Sequence, residues 1–455
     1  MDIGMDRIET LLITFGDLAW GPWLLILILG GGAYFIVLSR LLPFRYMAHG
    51  IALLSGKYDK EGPGEITHFQ ALSSALAGTI GMGNIAGVAV AITVGGPGAV
   101  FWMWATAILG ITTKFFTCTL SVMYRGQDSE GNLQGGPMYV ITEGLGEKYR
   151  PLAVFFCVAG VVGCLPLFQT NQLVQTIREV IFLKNGWISA DQITAFNLAA
   201  GLILAAVVST VIFGGLGRIA RVASRLVPVM ALIYISAAFY VLMLNFQEVP
   251  HYLALIVTDA FSGLAVAGGA IGTVIATGVR RGAFSNEAGI GTEAMAHGAA
   301  RTSEPVREGL VAMLGPVIDT LIICTATALL ILMTGAWQLT DLSGVSITNA
   351  AFEMALPGYG SYLLIVCVFF FSITTIFSYS YYGSKCLSFL IGAERKHYYN
   401  YIIVVMTVVA SMLSLDAMVG LVDGAFALMA IPTMTSTILL APKVMVAART
   451  YFSSL

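Results

Sequence analysis

Long apolar runs alternate with short polar punctuation along the whole chain. The runs fall near residues 18–41, 66–93, 98–124, 151–183, 191–213, 223–246, 263–297, 309–334, 360–391, 398–413 and 418–441. A helix needs about 20 apolar residues to span the hydrocarbon of a bilayer. The pattern therefore predicts an all-α polytopic membrane protein with about eleven crossings. The shortest run is 398–413, and 263–297 carries charges that argue against one straight span. Composition agrees: 57% of residues are hydrophobic, 11% are charged, and mean hydropathy is +0.85. Soluble chains are about 25% charged. A net charge of −2 gives no reason for a nucleic-acid partner.

The basic residues fall in alternate connections. Arg40, Arg45, Lys57 and Lys60 lie in the first; Arg125, Lys148 and Arg150 in the third; Arg218, Arg221 and Arg225 in the fifth. Arg280, Arg281, Arg301 and Arg307 are assigned to the seventh, and Lys385, Arg395 and Lys396 to the ninth. The even-numbered connections carry only Lys184. Cytoplasmic loops are enriched in Lys and Arg, so the reading is a cell-membrane protein with its N-terminus outside and its C-terminus in the cytoplasm. The first sixteen residues lack the basic region of a cleavable signal peptide.

With 18–41 set aside as a peripheral N-terminal helix, ten segments remain in a single transport domain. They divide into two five-helix groups, 66–246 and 263–441, and an odd count inserts the second upside down. Each group opens on a glycine-interrupted run, "GTIGMGNIAG" at 78–87 and "AGGAIGTVIATGVRRG" at 267–282. Interrupted segments at matching places in two halves point to a transporter's binding site. Glycine costs a helix about 1 kcal/mol against alanine and lets it open. Freed peptide groups in hydrocarbon are tolerated only around a cavity or ligand. Their carbonyls suit a small cation, and a half-helix N-terminus suits a carboxylate. The competing use of such glycines is close helix packing.

These residues resemble the alanine/glycine:cation symporter family. "GTIGMGNIAGVAVAITVGGPGAVFWMW" (78–104), "LQGGPMYVITEGLG" (133–146), "GVRRGAFSNEAGIG" (278–291) and "FSYSYYGSKC" (377–386) carry the likeness. That family usually carries a Glu in the segment after "TTKF", where Thr117 and Cys118 follow Phe116 here, and a Trp before "SYYG", where Tyr379 stands. The resemblance implies a leucine-transporter-like fold, 5+5 inverted repeats with broken first and sixth core helices, and inward carriage of alanine or glycine with sodium. It implies a sodium held by the carbonyls of Ala77, Ile80 and Phe371 and the hydroxyls of Thr374 and Thr375. Thr79, Gly81, Gly83 and Asn84 in the first break, and Gly272, Thr273 and Ala276 in the second, become candidate substrate contacts. Gln169, Asn171 and Gln172 join them, on a helix that lines the centre of this fold.

Asp319 lies deep in 309–334, where a carboxylate is costly and functional by default. It could complete a cation site, carry a proton, or cap a broken turn. Lys114 is the one charge in 98–124 and reads as structural. Arg280, Arg281, Glu287 and Glu293 read as a cytoplasmic gate or scaffold, and Asp423 as part of an outer gate. The five histidines lie near helix ends without paired spacing and read as interfacial. The six cysteines show no CxxC and read as small buried apolar residues. No nucleophile–His–carboxylate set supports an enzyme, and no ring-forming filter motif supports a channel. The expectation is a sodium-coupled symporter for small neutral amino acids; the alternative is a proton-coupled carrier or exchanger using Asp319.

Overall fold

The computed structural model describes residues 2–56, 62–261, 270–413 and 415–454. Almost all of the regular structure is helical. A single two-stranded hairpin, Gly126–Gln127 with Leu133–Gln134, is the sheet among the described residues.

The N-terminal region forms two helices, α1 (Asp2–Ala19) and α2 (Pro22–Ser39), with Gly21 extended between them. The next helix, α3 (His68–Thr79), starts on a capping box. The Thr67 hydroxyl accepts from the Gln70 N–H (3.2 Å), and the Gln70 side chain accepts from the Thr67 N–H (3.0 Å). This satisfies donors that a helix start leaves open. The helix ends at Ile80, whose ψ of 93° is extended. The chain resumes through a π-helical turn, Gly83–Gly87, into α4 (Val88–Gly95). The two halves are bent by 52°. The first glycine-rich run is therefore broken at mid-length, as expected.

Then follow α5 (Ala99–Met123), α6 (Arg150–Gly163), α7 (Leu167–Ile177), α8 (Ile193–Ile212), α9 (Gly215–Leu244) and a short α10 (Val249–Asp259). The second broken helix comprises α11 (Ala270–Asn286) and α12 (Thr292–His297). Beyond it lie α13 (Pro305–Ala312), α14 (Thr325–Thr334), α15 (Val345–Ala355), α16 (Gly360–Ile391), α17 (Tyr398–Ala410) and α18 (Leu415–Ser453).

The second break is displaced from its expected place. It occupies 287–291, where Glu287, Gly289 and Gly291 have φ of 54°, 87° and 100°. Gly272, Thr273 and Ala276 lie instead in regular helix, and Gly272 and Thr273 are exposed. Positions 267–269 fall outside the described residues. The reason is packing: Gly278 and Gly282 form a small-xxx-small face against α5. A Cβ on Gly278 would sit 2.4 Å from the Ala99 carbonyl oxygen, and one on Gly282 3.1 Å from the Met103 Cα. Close approach of this kind needs glycine. Gly278→Val should therefore lower the thermal midpoint of the detergent-purified protein, with an overpacking cost of about 1–3 kcal/mol or more. A scanning fluorescence melt checks this, and an unchanged midpoint would contradict the contact.

Eight helices among the described residues are long and apolar enough to cross a membrane, or nine if the bent pair counts as one span. The expected eleven included two further segments, 263–297 and 398–413. Their helices, α11–α12 and α17, are each shorter than that test requires. In the packed core, α3 lies against α9, α12 and α16, while α11 lies against α4 and α5. Both breaks thus face the middle of the bundle.

Candidate substrate and cation site

The first break touches the end of α11, just ahead of the second. A Cβ on Gly83 would lie 3.5 Å from Phe284 and from the Ser285 backbone, at the end of α11. Next to it, Asn84 organises the first break. Its Oδ1 accepts from the Gly81 N–H (2.8 Å), a donor that helix opening sets free. Its Nδ2 donates to Ser285 Oγ (3.3 Å), to the Asp319 carbonyl oxygen (3.2 Å) and to Asp319 Oδ1. Ser285 Oγ also donates to Asp319 Oδ1 (2.9 Å), and Thr320 Oγ1 to Oδ2 (3.1 Å). Asp319 is fully buried and lies in the π-helical segment Val317–Cys324. A carboxylate that deep requires hydrogen bonds or a cation. Here three elements converge on it: the first break, the end of α11, and 317–324.

On the opposite side of the first break stands α16. Thr375 Oγ1 lies 2.7 Å from where a Gly81 Cβ would be, so only glycine admits it there. The Thr375 hydroxyl donates to the Phe371 carbonyl (2.9 Å). Thr374, one position away, donates to the carbonyls of Phe370 (2.9 Å) and Phe371 (3.2 Å) and approaches the Met230 sulfur (3.5 Å). Phe371, Thr374 and Thr375 are buried. The extended ψ at Ile80 turns its carbonyl off the helix axis, within a buried stretch that includes Ala77 and runs on past Asn84. Thr79 Oγ1 is buried and has no hydrogen-bond partner among the described residues. Unpaired buried groups are rare in folded proteins and mark a site that something else completes.

The second break holds residues that the sequence reading placed elsewhere. Glu287 is a buried non-glycine residue in the left-handed region, at a cost of about 1–2 kcal/mol. Its Oε1 accepts from Tyr379 Oη (2.9 Å), and its Oε2 accepts from Thr292 Oγ1. Backbone outliers of this kind cluster at functional sites. Glu293 accepts from Thr117 Oγ1 (3.4 Å) and Thr292 Oγ1 (3.4 Å). A carboxylate at position 117 would face Glu293 directly. Lys114 is 2% exposed and lies beside Gly315, within this same buried layer. Ser285, Glu287 and Tyr379 were all legible inside the quoted motifs. Only Tyr379 stands out in the sequence, as a departure from the family's pattern, and none of the three is named there as a contact.

Three further expectations change. Arg280 and Arg281 do not share an end of the bundle with Arg301 and Arg307. Gly278 is level with Ala99, where α5 starts, whereas Arg125, just past the end of α5, donates to the carbonyls of Gly298 (2.8 Å) and Thr302 (3.1 Å). Arg280 pairs with Asp423 (3.0 Å) and Asp17 (2.8 Å), and Arg281 with Asp423 (3.3 Å). They separate from Glu287 and Glu293, and Asp423 is their partner. The candidate trio on α7 also divides. Asn171 donates to the Leu413 carbonyl (2.9 Å), and Gln172 to Gln175 (3.0 Å), both structural bonds. Gln169 is buried with its Oε1 unpartnered among the described residues. Finally, His68 and His297 are not interfacial. Both are fully buried, each against Glu308.

A helical bundle with two facing broken helices and buried polar groups between them defines a multi-pass membrane transporter of the leucine-transporter fold. The crystal structure of MhsT in complex with L-phenylalanine superposes with a TM-score of 0.57, covering 84% of this chain and 98% of that one, at 13% identity. The chain belongs to the sodium:alanine symporter family, whose sequence model matches residues 5–455. It is 36% identical to the "Sodium/alanine symporter AgcS" of Methanococcus maripaludis over 445 residues, covering 96% of this chain and 95% of that one. It is 35% identical to the "Probable sodium/glutamine symporter GlnT" of Bacillus subtilis, covering 96% and 89%.

Proposed function

We propose that this protein is a sodium-coupled symporter of small neutral amino acids such as alanine or glycine. The observation that carries the reading is the contact between the first break and the end of α11, with Asn84, Ser285 and Asp319 linked across it. The opened backbone at 80–81 and 287–291 is the natural partner of a zwitterion. Gly81 and Gly83 bring Thr375 and Phe284 close, and this crowding favours a substrate with a small side chain. The glutamine symporter among the relatives shows why substrate size is a question for experiment.

One sodium is assigned to the carbonyls of Ala77, Ile80 and Phe371 with the hydroxyls of Thr374 and Thr375. Neutral oxygens suit a monovalent hard cation; a divalent one usually calls for carboxylates. Asp319 with Asn84 and Ser285 is assigned to a second cation, or to a proton in the rival mechanism. Substrate and sodium share the same opened backbone, so each lowers the ordering cost of the other. That is a coupling free energy between sites. The bundle carries its substrate inward by alternating access between two inverted repeats. The start of α5 is assigned to the outside and its end to the cytoplasm, with the N-terminus outside.

Proteoliposomes test the reading. Uptake of radiolabelled alanine and glycine should require an inward sodium gradient and collapse without sodium. Uptake that persists without sodium and follows a proton gradient would overturn it in favour of the Asp319 proton mechanism.

A further inference from the structure

Three fully buried ionisable side chains meet at the end of the bundle assigned to the cytoplasm. Glu308 on α13 accepts from His297 Nδ1 (2.5 Å) with one carboxylate oxygen and from His68 Nδ1 with the other. All three residues are 0% exposed. A carboxylate only accepts, so each Nδ1 carries a proton. The sequence separations are large, and the helices involved are distinctive. His68 opens α3, the inner half of the first broken helix. His297 closes α12, the inner half of the second. One carboxylate therefore fastens both hinged halves to a third helix.

The neighbouring backbone makes those halves a unit. The Glu65 N–H donates to the Ala299 carbonyl (2.9 Å), the Arg301 N–H to the Ile66 carbonyl (2.7 Å), and Ile66 bridges Ala300 in parallel. Arg125 clamps the same strip through the carbonyls of Pro63 (3.0 Å) and Gly298 (2.8 Å). Deeper in, α3 seals against α16, where the Ser378 hydroxyl donates to the Ser74 carbonyl (3.0 Å). Both halves end in non-helical backbone, at 80–81 and 287–291, so they can pivot without dragging α4 or α11.

We propose that Glu308 is the latch of the inner gate. The proposal rests on the transporter reading above. While the end is closed and dry, the buried carboxylate needs both imidazoles, because an unpaired buried charge is strongly unfavourable. When α3 and α12 swing away together, water takes the place of both. The latched state and the hydrated open state are each satisfied, and the half-open state is not. This makes the gate two-state rather than gradual, which alternating access requires.

The test reads accessibility without any substrate. Ser74→Cys is introduced on α3, and inside-out vesicles are exposed to a membrane-impermeant methanethiosulfonate reagent in sodium. Background from the six buried native cysteines is subtracted using protein without the added thiol. Glu308→Gln and His68→Leu should each speed labelling by at least about tenfold over the latched protein. His68→Asn, whose amide N–H stands where Nδ1 donated, should stay near the unmodified rate. Labelling of inserted Glu308→Gln and His68→Leu at the unmodified rate would overturn the proposal. So would His68→Asn labelling as fast as His68→Leu, which would mean simple loosening. If Glu308→Gln fails to insert, the His68 pair decides alone. If labelling follows the latch pattern while alanine uptake is absent throughout, the latch stands and the substrate assignment falls.

Discussion

Thr374→Ala combined with Thr375→Ala should raise the sodium concentration for half-maximal alanine uptake by roughly a hundredfold or more, with the protein still inserted. Each hydroxyl bonded to a charged partner contributes about 1.5–3 kcal/mol, and 1.4 kcal/mol is a factor of ten. Both substitutions keep α16 helical, because alanine is the best helix former. Thr375 already stands against the first break, 2.7 Å from the position of a Gly81 Cβ, so its oxygen is in place for an ion held there. Thr375→Ser keeps that oxygen and should restore most of the affinity. Sodium titration of uptake in proteoliposomes is the measurement. A double variant with unaltered sodium dependence would remove the ion from this place.

Asp319→Ala should abolish sodium-driven uptake outright. It removes the carboxylate acceptor of Ser285 Oγ and Thr320 Oγ1 and one of the acceptors of Asn84 Nδ2 at once. Each buried donor left unsatisfied costs about 1–3 kcal/mol, and Asn84, which holds the Gly81 N–H, loses its bond to the carboxylate. Asp319→Asn separates charge from shape. An amide there keeps the volume but cannot supply a charge to a cation. Uptake at saturating sodium should fall at least about tenfold, with monodisperse elution retained. Wild-type uptake by Asp319→Asn would leave this residue a structural cap only.

Much of the architecture could be read from hydropathy. The long helix α16 matches the apolar run 360–391 at both ends, because glycines flank it and Gly392 has a φ of 99°. The first break was visible because Gly81 and Gly83 lie beside an asparagine that can bond an opened backbone. The second was misplaced for a physical reason. Glycine serves two purposes in membrane helices, opening and close approach, and one-dimensional spacing does not separate them. Gly278 and Gly282 serve approach, while Gly289 and Gly291 serve opening. The basic-residue count erred at Arg280 and Arg281, which lie within α11 and are neutralised there by Asp423 and Asp17. His68, His297 and Glu308 were hidden because tertiary packing alone brings them together. No periodicity links residues on three different helices.

The seam between α1 and α18 carries a practical corollary. Gly16 lies so near Gly420 that an added Cβ would come within 2.8 Å of its carbonyl oxygen. Beside that contact, Asp17 holds Arg280, and the Trp20 indole donates to the Asp423 carbonyl (2.8 Å). A reporter or purification tag fused directly ahead of α1 would tug on this wedge and slacken the arginine clasp. The same tag placed after Ser453, at the far end of α18, would leave the clasp alone.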